Sequence, residues 1–168
     1  IYSAHTNLDN ADGGVNFKMA EKIGLKNVQV LEPKETADDV VAGAGVIGEL
    51  DEQETETEFL KRIKKLFEVG CVKHNRMNGR LIRKVALCGG SGAFLLPRAV
   101  ACNADVFITG EVKYHDYFYY DNRILVAEIG HYESEQYTKE IFYSIIREMF
   151  PSLDVQMTRV NTNPIKYM

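Results

Sequence analysis

Four times along this chain a short apolar run stops at a polar or glycine-rich break and gives way to helical spacing. That repeated junction constrains the fold more than any other feature, because it places turn residues and ionisable groups at strand ends, the usual ligand position of an α/β sheet. The most informative junction follows the apolar run 124–127, where Gly130 ends the strand and His131, Glu133 and Glu135 come before a long helical pattern. His131 and Glu135 are four apart, so a helix starting at His131 puts both on one face, within reach of one ion. A helix starting later would make Ser134 the N-cap and leave His131 in a loop beside it.

The remaining segments fit the same plan. Residues 1–4 read as a strand end, and the polar stretch 5–14 leads into a helix over 15–23 that Gly24 terminates. Strands are predicted over 27–31 and 46–50, joined by a short polar connection, 32–44. A helix over 52–67 has an apolar stripe (Phe59, Ile63, Leu66, Phe67), with acids first and lysines later, as the helix dipole favours. Residues 69–80 read as a surface strand end and loop carrying His74. A strand over 83–88 precedes the Gly89-Gly90-Ser91-Gly92 turn and a helix to Cys102, in which Pro97 falls early enough to be tolerated. A strand over 106–109, a helical aromatic stretch over 117–120, a helix over 137–150 and a last strand over 155–160 complete the chain. The pattern predicts a single α/β domain over 1–168 with a mixed, largely parallel sheet flanked by helices.

Composition narrows the functional classes. A net charge of −4 and a pI near 5.6 disfavour a phosphate-backbone partner, so no nucleic acid is expected. No apolar run reaches membrane-span length, and the start has no basic-then-apolar leader. The three cysteines, Cys71, Cys88 and Cys102, lack CxxC spacing, and Cys88 and Cys102 read as reduced core residues of a cytoplasmic protein. The chain opens at Ile1 directly into a strand, which reads as a piece of a longer subunit.

Three junctions share one form, a His and a carboxylate four apart: His5 with Asp9, Glu111 with His115, and His131 with Glu135. Imidazole and carboxylate donors suit divalent metals that activate water. One pair alone is explained as well by capping of an element end. Three pairs that could converge point to a shared cation site, with Zn, Fe and Mn equally suited to the donors. The 89–92 turn could cradle an anion at a helix start, or could be glycine-rich for packing; it lacks the Lys-Ser/Thr of a P-loop.

The runs Ser3-Ala4-His5-Thr6-Asn7-Leu8-Asp9, Gly45-Val46-Ile47-Gly48-Glu49-Leu50 and Cys88-Gly89-Gly90-Ser91-Gly92-Ala93 occur here in order. They are followed by Thr109-Gly110-Glu111, Lys113-Tyr114-His115-Asp116, Gly130-His131-Tyr132-Glu133-Ser134-Glu135 and Asn163-Pro164. In this the chain resembles the GTP cyclohydrolase I type 2 homologues, also called NGG-one-interacting-factor-three-like proteins. The resemblance implies a two-metal fold in which Asp9, His131 and Glu135 are ligands of two divalent ions. His5, Glu111 and His115 would line the same pocket, and Glu111 or His115 would serve as acid or base. It also implies a homohexamer and a His-His pair in an upstream segment that this chain lacks, so that the chain is a C-terminal portion. Longer relatives insert an extra domain where 32–44 lies here. The expected function is that of a metal-dependent hydrolase acting on a nucleotide-like or other small substrate. The alternative is a non-catalytic metal-binding assembly or regulatory protein.

Overall fold

The computed structural model describes residues 1–34 and 42–168. In chain order the elements are α1 (Thr6–Asp9), α2 (Val15–Ile23), β1 (Lys26–Pro33), β2 (Gly43–Thr55), α3 (Glu56–Leu66) and β3 (Lys73–His74). These are followed by β4 (Leu81–Cys88), a 3-10 turn (Ala93–Leu95), α4 (Leu96–Ala101), β5 (Val106–Thr109), α5 (Tyr114–Tyr119), β6 (Leu125–Glu128), α6 (His131–Glu135) and α7 (Thr138–Met149).

The six strands form one sheet in the order β1-β2-β4-β5-β6-β3. Only β4–β5 and β5–β6 pair in parallel; β1–β2, β2–β4 and β3–β6 are antiparallel. The sheet is therefore mixed but largely antiparallel, which corrects the largely parallel expectation. Strand–helix alternation predicts parallel crossovers, and α4 and α5 provide them. The segment after β2 does not, because α3 leads to β3 at the far edge while β4 returns beside β2.

Side-chain alternation along the central strands builds two cores. Val85 and Leu87 of β4, Val106 and Ile108 of β5, and Leu125 and Ala127 of β6 face Met19 and Ile23 of α2 and Phe59 and Ile63 of α3. The intervening Ala86, Cys88, Phe107 and Val126 face Leu96 and Ala99 of α4. Gly24 ends α2 at φ 83°, letting the Leu25 N–H turn back to the Ala20 carbonyl.

Three other expectations change. The helix predicted from residue 52 begins at Glu56, because Glu54 and Thr55 pair with Ile82 and Leu81 of β4. Thr55 then closes a capping box with Glu58, accepting the Glu58 N–H at 3.3 Å and donating its own N–H to the carboxylate at 3.1 Å. Residues 155–160 are not a strand but part of an irregular tail, and residues 1–4 are not strand either. Apolar spacing alone cannot form a strand where no sheet edge is offered. Of the expected 32–44 connection, residues 35–41 lie outside the described residues; its flanks belong to β1 and β2.

Candidate cation site

The carboxyl ends of the parallel strands β4, β5 and β6 open on one side of the sheet, and the breaks that follow them are packed together. Gly90, after β4, sits at φ 60°, and its carbonyl accepts the N–H groups of Gly110 (2.9 Å) and Glu111 (3.1 Å), just after β5. Its own N–H donates to Ser134 Oγ of α6 at 2.9 Å. A side chain there would displace the site, since a Cβ on Gly90 would overlap Glu135 Oε1 and lie 3.4 Å from His131 Nε2. The Gly89 N–H donates to Asn16 Oδ1 at 2.9 Å and the Gly92 N–H to Thr109 Oγ1 at 3.0 Å. With these donors satisfied inside the protein, the turn serves close packing rather than an anion cradle.

Helix α6 starts at His131, so His131 and Glu135 share a face, with Nε2 to Oε1 at 3.4 Å. The other ring nitrogen, Nδ1, lies 2.7 Å from Glu111 Oε1, and the second oxygen of Glu111 accepts from Ser91 Oγ at 2.5 Å. A carboxylate can only accept, so Nδ1 donates to Glu111, and Nε2 is turned toward Glu135. This is the arrangement by which an outer carboxylate orients a metal-binding imidazole. The two hydrogen bonds, from Ser91 and then from His131, hold the Glu111 carboxyl below the usual range.

Asp9 ends α1, and its backbone carbonyl accepts from Asn16 Nδ2 at 2.8 Å. Asn16 is 2% exposed and reaches Asp9 and Gly89 with its two side-chain ends, so it sets the spacing between α1 and the glycine turn. Motif and spacing do not find Asn16; a short amide at a buried position of an amphipathic helix is the signal that could have. Ser91 and Ser134 belong to sequence motifs, but their roles, fixing Glu111 and Gly90, are set by contacts across the fold.

His5, Asp9, Glu111, His131 and Glu135 line a cavity of about 540 Å³, walled on one side by Asn163, Pro164 and Ile165 of the tail. A neighbouring cavity of about 290 Å³ shares His5, Asp9, His131 and Glu135 and adds Cys88. No lysine or arginine among the described residues lines either one. His115 is not brought to the group; it is exposed on α5, edge-on to Tyr114 at 5.6 Å, and lines neither cavity.

The electrostatics follow from this lining. Burial raises the Asp9 carboxyl pKa, partly offset by His5 and His131. Burial also raises Glu135; His131 works against the rise, and the negative charges of Asp9 and Glu111 add to it. Burial and then the Asp9 and Glu135 charges push the Cys88 thiol up to about 12. Carboxylates that disfavour their own charge, beside imidazoles and with no lysine or arginine of the described residues in the lining, have the donor chemistry that a divalent cation satisfies. Among the described residues, no group of three or more His, Cys, Asp or Glu side chains is already drawn to metal-holding geometry. The residues fit part of a cation site rather than a closed one.

Comparison with known proteins agrees with the architecture. The chain is 28% identical over 98% of its length to the GTP cyclohydrolase 1 type 2 homolog of Lactococcus lactis, and spans 62% of that relative. It superposes on Staphylococcus aureus protein SA1388 with a TM-score of 0.89 at 26% identity, covering 99% of this chain and 68% of that one. A Bacillus cereus protein related to NIF3 shares the fold, with a TM-score of 0.86 at 19% identity and coverage of 100% of this chain and 73% of that one. The family profile described as Duf34/NIF3 (NGG1p interacting factor 3) matches residues 1–164. The chain belongs to that family.

Proposed function

We propose that the cavity of Asp9, His131 and Glu135 binds divalent cations, two per complete site, and serves a metal-dependent hydrolase of nucleotide-like or other small substrates. The observation that carries the reading is the Glu111–His131 bond, which leaves Nε2 aimed at Glu135 in a cavity that no lysine or arginine among the described residues lines. Asp9, His131 and Glu135 would hold the ions. Bound divalent cations supply acidity to water and polarise a substrate oxygen. Glu111 is engaged at both oxygens, so it positions His131 rather than moving protons. His5 lines both cavities with Nδ1 3.1 Å from Thr6 Oγ1, and in this proposal takes the acid or base role there. The His-His pair of an upstream segment completes the ligand set in this proposal, and the working form is a homohexamer. Tyr114, Phe118 and Tyr119, exposed together on α5, are the kind of apolar surface such an assembly would cover.

The test is elemental analysis of the purified chain beside H131A and E135A, after equilibration with Zn, Mn or Fe(II). Bound metal should fall in both variants while far-UV circular dichroism stays unchanged. Full metal content in either variant would refute the assignment.

A further inference from the structure

Glu111 and Ser91, which fix His131, also line an adjoining cavity of about 520 Å³, which shares Glu111 with the larger cation cavity and Ser91 and Phe94 with the smaller one. Phe94, Pro97, Val112 and Tyr120 give it apolar and aromatic walls, and Lys113 and Asp116 add one charge of each sign. Phe94 is 67% exposed although the next residues, Leu95 and Leu96, are buried, so packing does not account for its ring at this position. Lys113 makes no ion pair and no side-chain hydrogen bond among the described residues, and the Asp116 carboxylate accepts none. The volume lies within the roughly 300–1,000 Å³ of small-ligand sites, and an apolar wall with a few separated polar groups is their usual lining.

We infer that this cavity is the substrate's recognition subsite and takes a planar heteroaromatic ring bearing an anionic group. The ring lies against Phe94, the anionic group pairs with Lys113, and Asp116 accepts a ring-edge N–H. The scissile part of the molecule is then held at the Ser91–Glu111 junction, beside the cation cavity. The assignment rests on the hydrolase reading above for the last step, but not for binding.

Calorimetric titration of the whole chain, without added metal, uses GMP, guanosine and ribose 5-phosphate as probes. GMP should bind more tightly than either fragment. F94A should weaken GMP by roughly 5- to 150-fold, the range for loss of base–aromatic stacking. K113A should bring GMP down to the level of guanosine, a loss of roughly two- to fivefold for an exposed ion pair. Both side chains are exposed, and unchanged melting temperatures check that the variants fold. GMP binding unmoved in both variants, or ribose 5-phosphate binding as tightly as GMP, would overturn the subsite. GMP binding lost in F94A, with bound metal unchanged by H131A and E135A, would support the subsite while defeating the cation reading. Metal uptake without GMP binding would do the reverse.

Discussion

Gly90 offers a perturbation whose two effects can be separated. Its φ of 60° lies in the left-handed region, where an L-residue carries strain of about 1–2 kcal/mol. Gly79, at φ 73°, has the same backbone strain, but a Cβ there would meet nothing within 4 Å. G79A therefore measures the backbone term alone, a fall in melting temperature of roughly 2–8 °C at about 2–4 °C per kcal/mol for a domain of this size. G90A adds an overlap with Glu135 Oε1. That oxygen is the end of a flexible side chain, so the fold can absorb the change by moving the carboxylate, and the melting temperatures of the two variants should stay close. The site cannot absorb it, because Glu135 is then turned away from His131 Nε2. Divalent-cation affinity, measured by titration calorimetry with Mn²⁺ or Zn²⁺, should drop about 10- to 100-fold in G90A, the scale seen when a ligand's support is lost, and stay at the wild-type value in G79A. Equal cation affinity in the two variants would show that Gly90 is not there to seat Glu135.

Glu111→Ala should weaken cation binding by about 10- to 100-fold through the loss of His131 orientation, whereas H115A should leave it unchanged; a matching loss in H115A would return that residue to the site. Asn16→Ala strips the partners from the Gly89 N–H and the Asp9 carbonyl, and should destabilise the fold by about 1–3 kcal/mol, readable by scanning calorimetry. A variant as stable as wild type would remove Asn16 from its spacing role. The raised pKa values of Asp9 and Glu135 mean that the folded, metal-free chain holds these protons more tightly than the unfolded chain. Stability should therefore fall as pH rises from the ordinary carboxylate range through the raised folded values. E135Q removes its share of that loss, so at pH 7 without metal it should melt above wild type, and the difference should vanish in acid; an E135Q chain that melts lower at pH 7 would contradict the burial argument.

Much of the site is legible in the amino-acid sequence because short-range order carries it. The four-residue spacing of His131 and Glu135 becomes a shared face once α6 begins at His131, and the glycine turn after β4 is placed by the apolar run that precedes it. Glu111 follows from the same logic of polar residues at strand ends, whereas His5–Asp9 reaches the cavity from α1 and the turn before it, with no strand ahead of them. Glu111–His115 has identical spacing but does not act as a pair. Glu111 lies before α5 and reaches His131, twenty residues away in sequence, while His115 faces solvent. Spacing states what can meet along one helix, and it is silent about which strand ends are neighbours.

Periodicity, capping and glycine's backbone freedom are local properties, and they suffice for the α/β class, for the extents of α2, β5 and α7 to within a residue or two, and for the residue types that gather at strand ends. The sheet is a matter of tertiary structure. The antiparallel pairing of β2 with β4, the extension of β2 into residues predicted as helix, and the failure of 155–160 to form a strand all depend on which edges lie adjacent. Hydrogen bonding between strands distant in sequence is what selects them. The same holds for the roles within the site. Asn16, Ser91 and Ser134 orient Asp9, Glu111 and Gly90 only because three parallel strands end side by side, and a contact that exists only in the folded state leaves no local pattern to read.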